Sequence, residues 1–164
     1  MKKVNDKTAA ESVTIKTEVV CPNDTNPMGI LQGGRLVEWM DIAAAVCAQT
    51  HADRICVTAS INEVAFKAAA YSGDIITIRA TITRAFNSSM EILVEVHARK
   101  VLKAKKYLIS KAYFTFVALD KKGKVTKVIS MKPETASEKE EYEGALIRRE
   151  TAAARKLSTK PVLV

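Results

Sequence analysis

Hydrophobic and polar positions change period twice along the chain. Residues 11–20 alternate loosely, with Val13, Ile15, Thr17 and Val19 on one side, which predicts a first strand. Residues 21–32 are rich in Pro, Asn, Asp and Gly and read as a loop. From about Gly33 to His51 the period is helical. Leu36, Met40, Ala43, Ala44 and Cys47 recur on one face, and the alanines raise helix propensity. Trp39 and Val46 make other faces apolar as well, so this helix, roughly 25–30 Å long, is expected inside the protein.

From residue 55 to residue 119 the period falls to two. Ile55 to Phe66 is an irregular candidate strand. Ile76, Ile78, Ala80 and Ile82 alternate with Thr77, Arg79, Thr81 and Thr83 after a Ser72-Gly73-Asp74 turn. Met90, Ile92, Val94, Val96 and Ala98 alternate with more polar neighbours in the next strand. Phe86-Asn87-Ser88-Ser89 forms the turn between these two. Ala112, Phe114, Phe116 and Ala118 mark a last strand, closed by Asp120-Lys121-Lys122-Gly123. The connections are short enough for antiparallel neighbours. Beyond Met131 the chain becomes highly charged, with acids preceding bases, an order that suits the dipole of a peripheral helix over about residues 133–156. The expected fold class is α+β: a long helix wrapped by a curved antiparallel sheet whose concave face covers it.

At 164 residues and 48% hydrophobic, the chain suits one globular domain over residues 1–164, with its core at about residues 12–119. No apolar run is long enough to span a bilayer, so no membrane insertion is expected. The polar amino terminus has no secretory core, and residues 161–164 carry no peroxisomal address, so a cytoplasmic location is expected. Cys21, Cys47 and Cys56 fit no zinc spacing and no disulfide framework and read as reduced thiols. His51 stands at helical spacing from Cys47, weak grounds for a nucleophile. His51 and His97 lack ligand motifs, and no metal site is expected.

Residues 99–127 hold ten Lys or Arg against one acid, Asp120, a net of +9 against +8 for the whole chain. Such a field suits a phosphate-bearing partner, nucleic acid or a phosphorylated cofactor, or it is a solvated edge that resists aggregation. Aromatic interleaving and a helix-turn-helix are both lacking, which weighs against nucleic acid.

Two features in residues 22–45 carry chemistry. Gly33-Gly34 opens the helix, where uncapped N–H groups and close backbone approach favour developing negative charge. Asp41 is a carboxylate on an apolar helix, costly unless paired or used. By themselves, the glycines read equally as a tight loop and Asp41 as a surface acid.

Taken with Asp24-Thr25-Asn26-Pro27-Met28-Gly29 before the glycines, Met40-Asp41 on the helix, Val57-Thr58-Ala59-Ser60 and Asn87-Ser88-Ser89-Met90-Glu91, the pattern resembles the hot-dog-fold acyl-CoA thioesterases. Its match is to the branch of bacterial acyl-CoA thioesterases and cytosolic long-chain acyl-CoA hydrolases, and it extends over about residues 12–119. The resemblance implies hydrolysis of fatty acyl-CoA to fatty acid and coenzyme A. Asn26 would position water or thioester, Asp41 would act as general base or nucleophile, and Gly33 and Gly34 would polarise the carbonyl. It further implies coenzyme A contacts at Thr58, Ala59, Ser60, Asn87, Ser88 and Ser89, with Lys105 or Lys106 on phosphate. No cofactor is implied, since coenzyme A is part of the substrate and product. Sites would be shared across a homodimer, with dimers grouping into hexamers. Gln32 departs from the His or Phe of relatives. A non-catalytic acyl-CoA-sensing module on the same fold is the alternative.

Overall fold

A computed structural model describes residues 6–158. Residues 1–5 of the amino-terminal stretch and the terminal residues 161–164, both read above for targeting signals, lie outside the described residues. In chain order the elements are β1 (Lys7–Thr8), a 3-10 turn (Ala9–Glu11), β2 (Thr14–Val19), a second 3-10 turn (Pro22–Asp24), α1 (Gly33–Ala52), β3 (Ile55–Phe66), β4 (Ile75–Ala85), β5 (Ser89–Arg99), β6 (Tyr107–Leu119), β7 (Met131–Lys132) and α2 (Ala136–Ser158). Five strands form one antiparallel sheet in the order β2-β4-β5-β6-β3. The short β1 pairs in parallel with β7, a contact that the sequence pattern does not announce.

The inward positions of β4, β5 and β6 are the ones the alternation selects. Ile76, Ile78, Ala80 and Ile82, then Met90, Ile92, Val94, Val96 and Ala98, then Ala112, Phe114, Phe116 and Ala118 are all buried. Against them α1 buries Leu36, Trp39, Met40, Ala43, Ala44, Cys47 and Ala48. Each large apolar side chain removed from water contributes about 1.5–3 kcal/mol. This is the hot-dog arrangement.

The structure corrects one expectation. Periodicity encloses α1 on every side, yet Ile42 and Val46 remain 45% and 46% exposed. The sheet has five strands and ends at β3, so it covers one broad side of the helix and leaves a flank open. β3, at the edge of the sheet, also leaves Val57, Ile61 and Phe66 exposed. Its pairing with β6 slips between Thr58 and Ser60 and again between Asn62 and Ala65. Such bulges bend a strand and redirect its side chains.

The predicted peripheral helix lies on the outer face of the sheet. Its start is a capping box: the Thr135 hydroxyl accepts from Glu138 N–H at 3.1 Å, and the Glu138 carboxylate accepts from the N–H groups of Glu134 and Thr135. Arg148 reaches the buried Glu91 of β5 through Nε and Nη2, the latter at 2.7 Å from Oε1, and its guanidinium lies 3.8 Å over the Tyr113 ring. Thr83 donates to the same carboxylate at 2.6 Å. Glu91 thus has its partners although it is buried.

The carboxyl end of α1 is anchored by Lys7, whose Nζ donates to the carbonyls of Thr50 and His51 and to Asp53. A cation there suits the helix dipole. His51 is fully buried. Its Nε2 donates to the Ile129 carbonyl at 3.0 Å, and its Nδ1 has no partner among the described residues. Burial holds this imidazole below its ordinary value. The folded state therefore binds fewer protons than the unfolded chain below the ordinary imidazole pKa of about 6.5. The stability contributed by neutral His51 is complete above that pH and declines as pH falls through and below it. Urea unfolding from pH 7.5 towards pH 5 should show this decline (roughly the imidazole window), and His51→Gln, which keeps a donor for Ile129, should flatten it. Equal slopes in the two proteins would remove His51 as the cause.

Candidate functional site

The loop before α1 is built on Asp24. Its buried carboxylate accepts from Cys21 N–H at 2.9 Å and from Arg35 Nε at 2.9 Å. The Cys21 N–H holds this carboxyl below the usual range, and Arg35 adds to the effect against the opposing cost of burial. The Asp24–Arg35 pair ties the loop to the first turn of α1, and Arg35 also pairs with Glu38 within the helix. Gln32, the departure from the family pattern, donates from Nε2 to the Thr25 carbonyl at 2.9 Å. It therefore braces the loop.

Asn26 organises the tip. Its Oδ1 accepts from Met28 N–H at 3.0 Å and Ile30 N–H at 3.2 Å, while its backbone N–H donates to the Ile30 carbonyl. Gly29 completes the turn at φ +72°, a conformation that other residues rarely adopt. With Oδ1 occupied, the Asn26 amide has its NH2 group left as a donor, and no acceptor meets it among the described residues.

Gly33 and Gly34 open α1 as expected. Gln32 at the cap makes no side-chain bond to the helix, and the first turn holds no acid, so these N–H groups are uncapped. A Cβ on Gly33 would stand 3.1 Å from the Phe66 ring, whereas Gly34 faces open space. Beside Gly33 lies an apolar hollow of about 430 Å³, lined in part by Leu31, Leu36, Phe66, Ala70 and Ile109.

Asp41 lies two turns further along α1, on the open flank and half-buried. Its Oδ1 accepts from the Thr58 hydroxyl of β3 at 2.7 Å. Thr58, expected on coenzyme A, thus has its hydroxyl on the carboxylate. The β3 bulge then separates Thr58, Ala59 and Ser60, the three β3 residues expected on coenzyme A. Thr58 pairs with the inward Phe116, Ala59 is unpaired and exposed, and Ser60 pairs with Thr115 on the outer side.

Asn87, Ser88 and Ser89 lie at the same end of the sheet as Thr58, because Phe116 pairs with both Thr58 and Met90. The carbonyls of Asn87 and Ser88 accept from Val128 and Ala118 N–H. Ser60, Ser89 and Thr115 share an outer hollow of about 280 Å³ with Asn62, Phe86 and Arg149. Lys105 and Lys106 are exposed at the opposite end of β5, roughly 35 Å away at the usual rise per residue. Within one protomer they cannot serve a group bound at Ser89. The cations over Phe86 at that end are Arg149 of α2, 4.2 Å from the ring, and Arg84 of β4, 5.5 Å from it, and of these Arg149 lines the hollow. Charge periodicity in α2 did not single it out, because only docking of the helix brings it to the sheet.

The sequence matches the Thioesterase superfamily over residues 28–105. Acyl-coenzyme A thioesterase 11 of Mus musculus is 38% identical over 133 residues, which is 81% of this chain and 22% of that protein. The chain spans about a fifth of the length of that protein and of the rat and mouse acetyl-coenzyme A thioesterases, and 36% of the rat and mouse cytosolic acyl coenzyme A thioester hydrolases. An uncharacterised acyl-CoA thioester hydrolase of Bacillus subtilis, YkhA, is 36% identical over 128 residues, 78% of this chain and 74% of that one. Among solved structures, an acyl-CoA hydrolase of Staphylococcus aureus in complex with butyryl coenzyme A, coenzyme A and coenzyme A disulfide superposes with a TM-score of 0.87 at 38% identity, covering 92% of both chains. A hexameric acyl-CoA thioesterase superposes with a TM-score of 0.90 at 36% identity, covering 93% of this chain and 97% of that one. The Staphylococcus aureus hydrolase has also been solved with alanine in place of an asparagine, an aspartate and a threonine. Those three positions are spaced along that chain as Asn26, Asp41 and Thr58 are along this one.

Cys47 and Cys56 are removed from the chemistry by burial. It pushes the Cys47 thiol up to about 12 and the Cys56 thiol up to about 11. His51 bonds to Ile129 rather than to Cys47. Cys21 is exposed. Ellman's reagent at neutral pH should therefore titrate one thiol in the folded chain and all three in urea. Rapid labelling of a second thiol in the folded protein would contradict this burial.

Proposed function

The chain belongs to the acyl-CoA thioesterases of the Thioesterase superfamily, and from that membership we propose that it hydrolyses fatty acyl-CoA to fatty acid and coenzyme A, as a single hot-dog unit. The observation that carries the reading is Asp41 held by Thr58 on the open flank of α1. Thr58 occupies Oδ1 and leaves Oδ2 able to take a proton from water or to attack the thioester itself. Asn26, with its carbonyl engaged in the loop and its NH2 available, donates to the thioester oxygen or to the water. The uncapped N–H groups at Gly33 and Gly34 favour the negative charge that develops on the carbonyl oxygen. Thiolate is a good leaving group, so a carboxylate and preorganised donors suffice.

Sites of this kind are completed by a second protomer. Asp41 stands eight residues beyond Gly33, about 12 Å along the helix, too far for one residue set to act on one carbonyl. The exposed edge of β3 and the apolar flank at Ile42 and Val46 favour two-fold pairing of β3 edges. In an antiparallel pair, the Asn26–glycine end of one protomer approaches the Asp41–Thr58 region of the other. The same pairing brings Lys105 and Lys106 of one chain towards residues 87–89 of the partner, where they can join Arg149 on coenzyme A phosphates. Hexameric relatives support a trimer of such dimers. Relatives named cytosolic support action in the cytoplasm.

Asp41→Ala should lower turnover by about 10²–10⁴-fold while acyl-CoA still binds, and Thr58→Val should lower it less. Release of free thiol from a chain-length panel measures both. Binding of acyl-CoA with no cleavage by the unaltered protein would instead make it a sensing module. Mixed oligomers of Asn26→Ala and Asp41→Ala protomers should regain a fraction of activity. Verified mixtures that stay inactive would rule out the shared site.

A further inference from the structure

We propose that the hairpin tip between β5 and β6 docks on the surface of an anionic lipid bilayer. β5 ends at Arg99 and β6 begins at Tyr107. Between them, Lys103 N–H donates to the Lys100 carbonyl at 3.0 Å, a turn that places Val101 and Leu102 at its two corners. Corners of this kind usually carry Gly, Pro, Asn or Asp, which satisfy the backbone or stay in water. Here they carry aliphatic side chains, and Leu102 is 97% exposed. Residues 99–106 also hold five cations, Arg99, Lys100, Lys103, Lys105 and Lys106, and no acid. Lys100 lies 5.6 Å over the Tyr71 ring. Lys103, Lys105 and Lys106 form no ion pair among the described residues.

An aliphatic point inside a cationic collar is complementary to one kind of surface. The leucine and valine can enter the boundary between headgroups and acyl chains while Lys100 and Lys103, which flank them, stay among anionic headgroups. A nucleic acid would use the charges but offers nothing to Leu102, and the Tyr71 ring beside the tip already lies under Lys100. No described helix is long and apolar enough to cross a membrane, so the contact is superficial and reversible. Each basic residue near an anionic leaflet raises partition about fivefold, and salt weakens the effect. The docking itself does not depend on the hydrolytic reading. Its one consequence that does is that a docked enzyme meets acyl-CoA whose chain partitions into the bilayer.

The test is co-sedimentation of the full chain with vesicles of phosphatidylcholine alone and of phosphatidylcholine mixed with phosphatidylglycerol. Binding should be confined to the mixed vesicles and should fall as salt is raised. The pair Lys100→Glu and Lys103→Glu should reduce it by about tenfold or more. Val101→Ser with Leu102→Asp should reduce it comparably, with an unchanged melting curve and unchanged hydrolysis of a dissolved short-chain acyl-CoA. Equal binding to both vesicle types, or full binding by the protein carrying Val101→Ser with Leu102→Asp, overturns the proposal. Salt-sensitive binding of an RNA oligomer without vesicle binding also overturns it. The vesicle assay contains no substrate, so its failure is distinct from failure of the hydrolytic reading.

Discussion

Packing of α1 into the concave face of the sheet is the contact on which the other features depend. Ala43, Ala44 and Ala48 are small, so the backbone of the helix can lie close to the inward side chains of β4, β5 and β6. Close packing fixes the axis and rotation of the helix. Gly33 is thereby set at one end of the sheet beside Phe66, and Asp41 is set halfway along, within reach of Thr58 on β3. The same contact leaves Ile42 and Val46 on a side that no described strand covers. The buried and the open side are thus two faces of one helix.

On the opposite face of the sheet the contacts are ionic. Glu91 is buried with Thr83 and Arg148 on its carboxylate, and Arg148 also bonds to Glu141. A buried carboxylate left without its guanidinium is strongly unfavourable, so this pair selects one seating of α2 among the many that a charged helix could adopt. Arg84 adds a second clasp, donating to the Tyr142 carbonyl and stacking on its ring. That seating carries Arg149 to Phe86 and walls the hollow that Ser60 and Ser89 line. The helix bears few apolar residues, and charge complementarity sets its position.

The candidate site uses polar groups whose other valences are already committed. Asn26 spends its oxygen on the loop and keeps its NH2, and Asp41 receives Thr58 on one oxygen and keeps the other. Fixing one end of each amide or carboxylate orients the remaining atom before a substrate arrives, which is what electrostatic preorganisation requires. Asp24 and Arg35 extend the principle to the loop, joining it to the first turn of α1.

Much of this was legible from periodicity and motif. The alternation in β4, β5 and β6 identified the inward residues because strands have a period of two and one face must be buried. The alanine-rich run marked α1, and the loop, glycine pair and Asp41 marked the candidate site through their order and spacing. What could not be read along the chain is whatever depends on contacts between distant segments. A bulge at Ala59 sends Thr58 and Ser60 to opposite sides, and a strand pattern does not encode it. Lys105 and Lys106 are close to Ser89 in sequence terms but separated by the length of β5, while Arg149, sixty residues on, is brought to that end by the docking of α2. By itself the sequence determined which residues are apolar, where the period changes and which polar groups stand at special positions. Only the tertiary structure decided which of those groups meet, because meeting is set by sheet order, register and helix seating.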